Sequence, residues 1–373
     1  MKTTQIVIAI TLLLTTVICS AQNTTEVKWY NPLEASSHCI EGQFWPKEVE
    51  QPYDRLPVRA KEVVRKPVWN LSQQSAGLKI RFTCDAPTIQ IRYTVGPGLS
   101  MPHMPATGDS GIDLYTTNKN GQPLWCAGKY SFGDTIRYTF QGIHPNELYK
   151  DGFEYVLYLP LYNSVKTLEI GVPQTSQFEF LPVRNEKPIV TYGTSIMQGA
   201  CASRPGMAWT NIISRRLHVP LINFGFSGNG KLESEVIDFI NEIDARLFIL
   251  DCLPNLTPSE NFKAEEVAPL ILNAIKQIRA KHPKTPIILT QHGGYPNGFM
   301  QPDRFTAYQS VNKVLQDSFI KLLQDNEHNL FILPSQTINL DIDSTVDGVH
   351  PNDLGMHRYA KAYEQLIRKI LKI

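Results

Sequence analysis

The sequence predicts an α/β fold for its C-terminal half, a mostly parallel sheet with helices on both faces, preceded by an all-β domain of sandwich or jelly-roll type. Three observations carry that expectation. From about Gln22 to Val183, short runs alternate apolar and polar residues, the period of half-buried strands. From Glu186 to Ile373, short apolar runs alternate with segments of helical periodicity, and that βαβ order implies parallel strands. Between the two lies the proline-bearing stretch Leu181–Pro188, which reads as a linker.

Taken from the start, Met1-Lys2 gives a charged end, Ile6 to Ile18 an apolar run and Cys19-Ser20-Ala21 a small-residue exit. Residues 1–21 therefore read as a secretory signal peptide, too short and too poorly flanked for a spanning helix. The mature chain, with no later apolar stretch able to cross a membrane, is expected to be exported, either periplasmic or extracellular. A lipoprotein cysteine at Cys19 is the less favoured reading, because Ile18 stands where that processing prefers a small residue.

The β domain is placed at residues 22–183. Leu78–Phe82, Ile89–Val95, Tyr155–Leu159 and Val165–Val172 read as strands, with turns at Pro97-Gly98, Asn120-Gly121 and Lys150-Asp151-Gly152. Ser100–Gly108 is a long irregular insert that could lean over a crevice or be an ordinary surface loop. Trp29, Trp45, Trp69 and Trp125 could offer stacking faces to sugar rings, but in a sandwich such residues more often fill the core.

The α/β domain is placed at residues 186–373. Strands are expected at Ile189–Tyr192, Leu221–Phe224, Leu247–Asp251, Ile287–Thr290 and Leu330–Leu333. Helices are expected at Ala208–Leu217, Leu232–Ile243, Val267–Lys281, Tyr308–Leu323 and Leu354–Ile373. A flavodoxin-like strand order, 2-1-3-4-5, would set the carboxyl ends of the first and third strands beside the crevice where the order reverses.

Composition limits the function. Lys and Arg number 36 against 35 Asp and Glu, so no electrostatic case exists for nucleic acid or an anionic membrane. Beyond Cys19 the cysteines are Cys39, Cys84, Cys126, Cys201 and Cys252. They are odd in number and irregularly spaced, with no Cys-x-x-Cys, so neither a zinc site nor a disulfide scaffold is signalled, though one disulfide could form.

The chemistry-bearing residues fall at strand ends. Gly193-Thr194-Ser195 follows the first strand of the α/β domain, where a tight turn can expose a hydroxyl. Asp347-Gly348-Val349-His350 precedes the last helix, and a carboxylate within reach of an imidazole fixes its tautomer and stabilises its charged form. Each has an ordinary alternative, since Ser195 could merely cap a helix, Asp347 cap a turn and His350 sit on the surface. Gly228 and Asn255 end the next two strands. Either could be a turn residue, and Asn255-Leu256-Thr257 is also a glycosylation sequon.

The order Ser195, Gly228, Asn255, Asp347-x-x-His350 resembles the SGNH (GDSL-type) hydrolase family across residues 186–373. Thr194 replaces the usual aspartate of the first block, and the third block, Asp251-Cys252-Leu253-Pro254-Asn255, keeps only its asparagine. The resemblance implies Ser195 as nucleophile, His350 as base and Asp347 as its orienting carboxylate. It implies an oxyanion hole from the Ser195 and Gly228 backbone N–H groups and the Asn255 amide. It implies no cofactor and no metal.

An exported β domain ahead of such a domain resembles two-domain bacterial carbohydrate esterases, so the expected substrate is an acylated, foremost acetylated, saccharide. His103, in the 100–108 insert, and His292, in His292-Gly293-Gly294-Tyr295 after the fourth strand, are candidate pocket residues. A lipase or thioesterase of the same family, and a non-catalytic glycan-binding protein carrying a relic hydrolase domain, are the competing readings.

Overall fold

The computed structural model describes residues 26–117, 122–143 and 153–373. The expected signal peptide and the turns at Asn120-Gly121 and Lys150-Asp151-Gly152 lie outside these. The N-terminal region carries β1 (Val27–Tyr30), β2 (Ile40–Glu41), α1 (Lys66–Ser72), β3 (Lys79–Cys84), β4 (Thr88–Val95), α2 (Ala106–Asp109) and β5 (Asp113–Thr117). It continues with β6 (Pro123–Cys126), β7 (Lys129–Ser131), β8 (Ile136–Gln141), β9 (Phe153–Tyr158), β10 (Val165–Pro173) and β11 (Phe178–Phe180).

Among the described residues these strands form two antiparallel sheets. One has the order β1-β10-β4-β8-β7, the other β11-β3-β9-β5-β6 with β2 beside β3. Strict alternation decides which side chains go inward: Ile89, Ile91 and Tyr93 of β4 are buried while Gln90 and Arg92 are not. They meet Ile80 and Phe82 of β3 and Tyr155 and Leu157 of β9 in one core, so the sheets pack face against face.

Residues 43–75 depart from the all-β expectation. They form turns and α1 rather than strands, because their apolar residues serve the other domain. Trp45, Leu56, Ala60, Val64, Val68 and Trp69 join the core beneath the parallel sheet. Two of the four tryptophans are therefore core residues of the α/β unit, whereas Trp125 stays half exposed at 52%.

That unit holds β12 (Ile189–Gly193), β13 (Leu221–Gly225), β14 (Leu247–Asp251), β15 (Ile287–Thr290) and β16 (Leu330–Leu333). All pairings are parallel and the order is β13-β12-β14-β15-β16, the 2-1-3-4-5 arrangement expected. Every residue of β12, β13 and β14 is buried and most are apolar, as strands covered on both faces require, with Thr191, Asn223 and Asp251 the polar exceptions.

The helices are α3 (Ser195–Gln198), α4 (Trp209–Leu217), α5 (Ser234–Ile240), α6 (Val267–Lys281), α7 (Pro302–Gln324), α8 (Ser335–Ile338) and α9 (Asp353–Leu371). Residues of α5, α6 and α7 fill one face of the sheet. Those of α3, α4 and α9, with Met104, Leu161 and Tyr162 from the β domain, fill the other.

The edge strand β13 is covered rather than left open. Buried Arg55 donates from Nη1 to the carbonyls of Asn223 and Gly225, each at 2.9 Å, and its Nε and Nη2 bind the carbonyls of Gln74 and Leu71, both at 2.7 Å. Its guanidinium also lies 5.0 Å from the centre of the Phe226 ring. The five described cysteines are all unpaired. No helix among the described residues is long and apolar enough to cross a membrane.

Candidate active site

Chain order and sheet order together bring the strand-end residues to one edge. Ser195 is the first residue of α3, directly after β12. Thr194 caps that helix, its hydroxyl accepting the Ile196 N–H at 3.3 Å. Threonine thus does structural work at the position where the family pattern has aspartate.

Ser195 Oγ lies 2.9 Å from His350 Nε2, and His350 Nδ1 lies 2.7 Å from Asp347 Oδ2. With Nδ1 facing a carboxylate, the ring's proton sits on Nδ1, and Nε2 is left to accept from the serine hydroxyl. Burial works against the Asp347 carboxylate. The His350 N–H, the His350 ring and the Val349 N–H outweigh it and hold its pKa below the usual carboxylate value.

The loop bearing Asp347 and His350 is tied down on both sides. Val346 N–H donates to the His350 carbonyl at 2.9 Å, closing the turn, and Asn352 caps α9 through the Gly355 N–H. Three bonds join it to the segment after α3: Cys201 N–H to the Pro351 carbonyl at 2.8 Å, and Ser203 N–H and Oγ to the Asp353 carboxylate at 2.9 and 2.6 Å. The serine and histidine segments are therefore braced against each other, which fixes the 2.9 Å contact.

The next two strand ends converge on the same place. Gly230 N–H donates to Asn255 Oδ1 at 3.1 Å, joining the loop after β13 to the loop after β14. Only glycine fits at 230, since a Cβ there would sit 2.0 Å from the Gly193 carbonyl oxygen. With Oδ1 taken, Asn255 Nδ2 is a donor with no acceptor among the described residues.

The backbone N–H groups of Ser195 and Gly228 are likewise without a protein acceptor there. Gly228 adopts φ +68°, with open space where a side chain would begin. Ser227 N–H, beside it, is anchored to Gln198 Oε1 at 3.0 Å. Three donors without a protein acceptor, on the loops that follow β12, β13 and β14, are of the kind that suits an oxygen gaining negative charge.

The β domain supplies part of this site. Met101 and Met104 pair through their backbones, so Pro102-His103 forms the tip of a tight turn, and the His103 ring centre lies 5.5 Å from that of His350. Thr107 Oγ1 docks the insert to the Ser203 carbonyl at 2.7 Å. Tyr162 donates its hydroxyl to the Ser195 carbonyl at 3.2 Å, a contact no sequence pattern marks. Arg204 pairs with Asp113 and bonds Tyr115 Oη at 2.5 Å, tying its segment to the β domain, while Trp209 Nε1 braces α3 by holding the Ile196 carbonyl at 3.1 Å.

His292 is placed differently from the pocket position expected of it. It is 1% exposed, its Nδ1 accepts the Gly294 N–H at 2.9 Å, and its ring packs between Tyr295 and Tyr308. Burial pushes its pKa down to about 3, so the ring is neutral. Asp251, at the head of the third block, is also enclosed. Its Oδ2 accepts the Tyr363 hydroxyl at 2.8 Å, and burial raises its pKa to about 7.

Against known proteins, residues 186–368 match the model of the GDSL-like lipase/acylhydrolase family. Residues 27–178 match a model described as GxDLY, the N-terminus of SGNH-hydrolase-type esterases, whose letters appear here as Gly111-Ile112-Asp113-Leu114-Tyr115. The crystal structure of a candidate GDSL-like lipase from Bacteroides ovatus ATCC 8483 is 32% identical, with 93% of this chain and 99% of that one covered and a TM-score of 0.82.

The salicylyl-acyltransferase SsfX3 of a tetracycline biosynthetic pathway shares the fold at 18% identity, covering 92% and 97% of the two chains, with a TM-score of 0.70. The acetyl xylan esterase Est2A of Butyrivibrio proteoclasticus does so at 11% identity, covering 92% and 99%, with a TM-score of 0.56. No curated protein sequence matches the chain.

Proposed function

This chain belongs to the GDSL-like lipase/acylhydrolase family and is an ester hydrolase, and on that premise we propose that it is an exported serine esterase that removes acyl groups, acetyl foremost, from carbohydrate. The observation that carries the mechanism is the continuous chain from Ser195 Oγ to His350 Nε2 at 2.9 Å and from His350 Nδ1 to Asp347 Oδ2 at 2.7 Å.

In the first half-reaction Ser195 Oγ attacks the ester carbonyl carbon while His350 Nε2 takes its proton. Asp347 stabilises the imidazolium without itself taking the proton. The carbonyl oxygen, now an anion, is met by the Ser195 and Gly228 N–H groups and by Asn255 Nδ2. His350 then protonates the departing sugar oxygen. In the second half-reaction water attacks the acyl-serine, with His350 again as base, and the carboxylic acid leaves.

The substrate class is supported by the carbohydrate esterases among proteins of similar fold, one of them described as an acetyl xylan esterase. Export is supported by the signal-peptide pattern of residues 1–21.

The test is acetate release from a panel of acetylated polysaccharides by wild-type and Ser195→Ala protein, with nitrophenyl esters of increasing chain length beside it. Acetate release lost in Ser195→Ala, with acetate preferred over longer esters, supports the proposal. A preference for long chains moves the assignment to a lipase, and equal activity in both proteins removes Ser195 as nucleophile.

A further inference from the structure

The loop tip carrying His103, the buried Cys201 after α3 and the loop carrying His350 bring one possible ligand atom each to within 4.8 Å of the other two. We propose that these three side chains form a binding site for a borderline-soft divalent cation, Zn²⁺ above all, and that occupancy switches the esterase off. The inhibition rests on the serine-esterase reading; the binding does not.

Several features fit the donor set. Two imidazoles and a thiolate are the ligand types that zinc prefers, and three protein ligands leave its fourth position open. Metal–ligand distances of about 2.0–2.3 Å bring ligand atoms of a tetrahedral site within roughly 3.5 Å of one another, so closure needs a shift of about 1 Å, and His103 rides on a partly exposed turn. Neither the His103 ring nor Cys201 Sγ has a hydrogen-bond partner among the described residues.

His350 already has its Nδ1 bound to Asp347, the carboxylate–histidine arrangement that orients a metal-ligating ring, so Nε2 is the ring nitrogen left to take an ion. On binding, the Cys201 thiol gives its proton to solvent as the sulfur–metal bond forms. Burial pushes that thiol up to about 12, so without metal it is an inert group. The ion occupies the Nε2 lone pair that would otherwise take the Ser195 proton, which is why occupancy and catalysis exclude each other.

The experiment titrates Zn²⁺ into the full chain against a chromogenic chelator, for wild type, Cys201→Ser, Cys201→Ala, His103→Ala and Ser195→Ala, each checked by its metal-free melting curve. In parallel, nitrophenyl acetate hydrolysis is followed as Zn²⁺ is added. We expect one ion per wild-type chain, affinity at least tenfold weaker in either folded Cys201 variant and in His103→Ala, and unchanged affinity in Ser195→Ala. The half-inhibiting Zn²⁺ concentration should rise by the same factor, and chelation should restore activity. Affinity unaltered by substitution at both positions overturns the site. Binding that behaves as expected in a chain with no esterase activity upholds the site and tells against the esterase reading.

Discussion

Asp347 holds His350 at two atoms: Oδ1 accepts the His350 backbone N–H at 2.8 Å while Oδ2 meets the ring Nδ1 at 2.7 Å. One carboxylate thereby fixes both the turn and the tautomer. In Asp347→Asn the side-chain amide faces Nδ1 with a donor, which favours the tautomer whose Nε2 carries the proton and cannot accept from Ser195. We expect turnover to fall by about 10³–10⁴ with KM nearly unchanged. The Oδ1 turn contacts can survive, so the melting temperature should move little. Steady-state kinetics and calorimetry on the same preparation check both halves.

The free Nδ2 of Asn255 gives a second expectation. Asn255→Ala removes one donor from the proposed oxyanion hole and leaves the Gly230 N–H only its bond to the Phe226 carbonyl at 3.0 Å. Turnover should drop by about 10²–10³, with KM changed far less, since the donor engages the charged intermediate rather than the ester. Asn255→Asp keeps the acceptor for Gly230 but turns a negative oxygen toward the hole, and should be no better than alanine. If Asp restored activity, the role of Asn255 would be to hold Gly230 alone.

The fold was readable because its signals are local. Each parallel strand is a short apolar run, and each helix carries its own period, so a parallel sheet with helices on both faces follows from texture, while its 2-1-3-4-5 order was expected from the flavodoxin-like arrangement. The strand-end placement of Ser195 and the Asp347–His350 spacing were readable for the same reason. Residues 43–75 were not, because their apolar residues pack on a sheet far away in sequence. Nor were Tyr162 on the Ser195 carbonyl or Arg204 on Asp113, since those contacts join distant stretches across the domain boundary; His103 was legible as a candidate pocket residue but not as a neighbour of Cys201. His292 reads as a site residue because it ends a strand; in the fold its ring is buried, with Nδ1 accepting the Gly294 N–H and its backbone bonded to Asn312.

Asp251 gives a prediction about pH. Burial lifts its folded-state pKa from the ordinary 3.8 to about 7. Below about pH 4 both folded and unfolded chains carry the proton. Between there and about pH 7 the unfolded carboxyl ionises while the buried one keeps its proton, so this group's contribution to stability declines as pH rises. The loss amounts to about 4 kcal/mol once pH exceeds 7. Asp251→Asn keeps an acceptor for the Tyr363 hydroxyl and removes the titration. It should melt higher than wild type at pH 8, with the gap closing toward pH 4, as denaturation series at several pH values will report.

Arg55 is the residue whose loss should unfold the most. Its guanidinium satisfies four carbonyls, two on the edge strand β13 and two in the N-terminal segment that covers it. Lysine offers one nitrogen where the fork supplies three, so Arg55→Lys leaves several buried carbonyls without donors, each worth about 1–3 kcal/mol. We expect Arg55→Lys to lose on the order of 3 kcal/mol or more, and Arg55→Met at least as much, in chemical denaturation. Because β13 leads into the Ser227–Gly228 loop, a loosened edge should also slow turnover per folded molecule, by less than tenfold, since Gln198 still holds Ser227. A lysine variant as stable as wild type would mean that water reaches these carbonyls and that the edge is not sealed by this arginine.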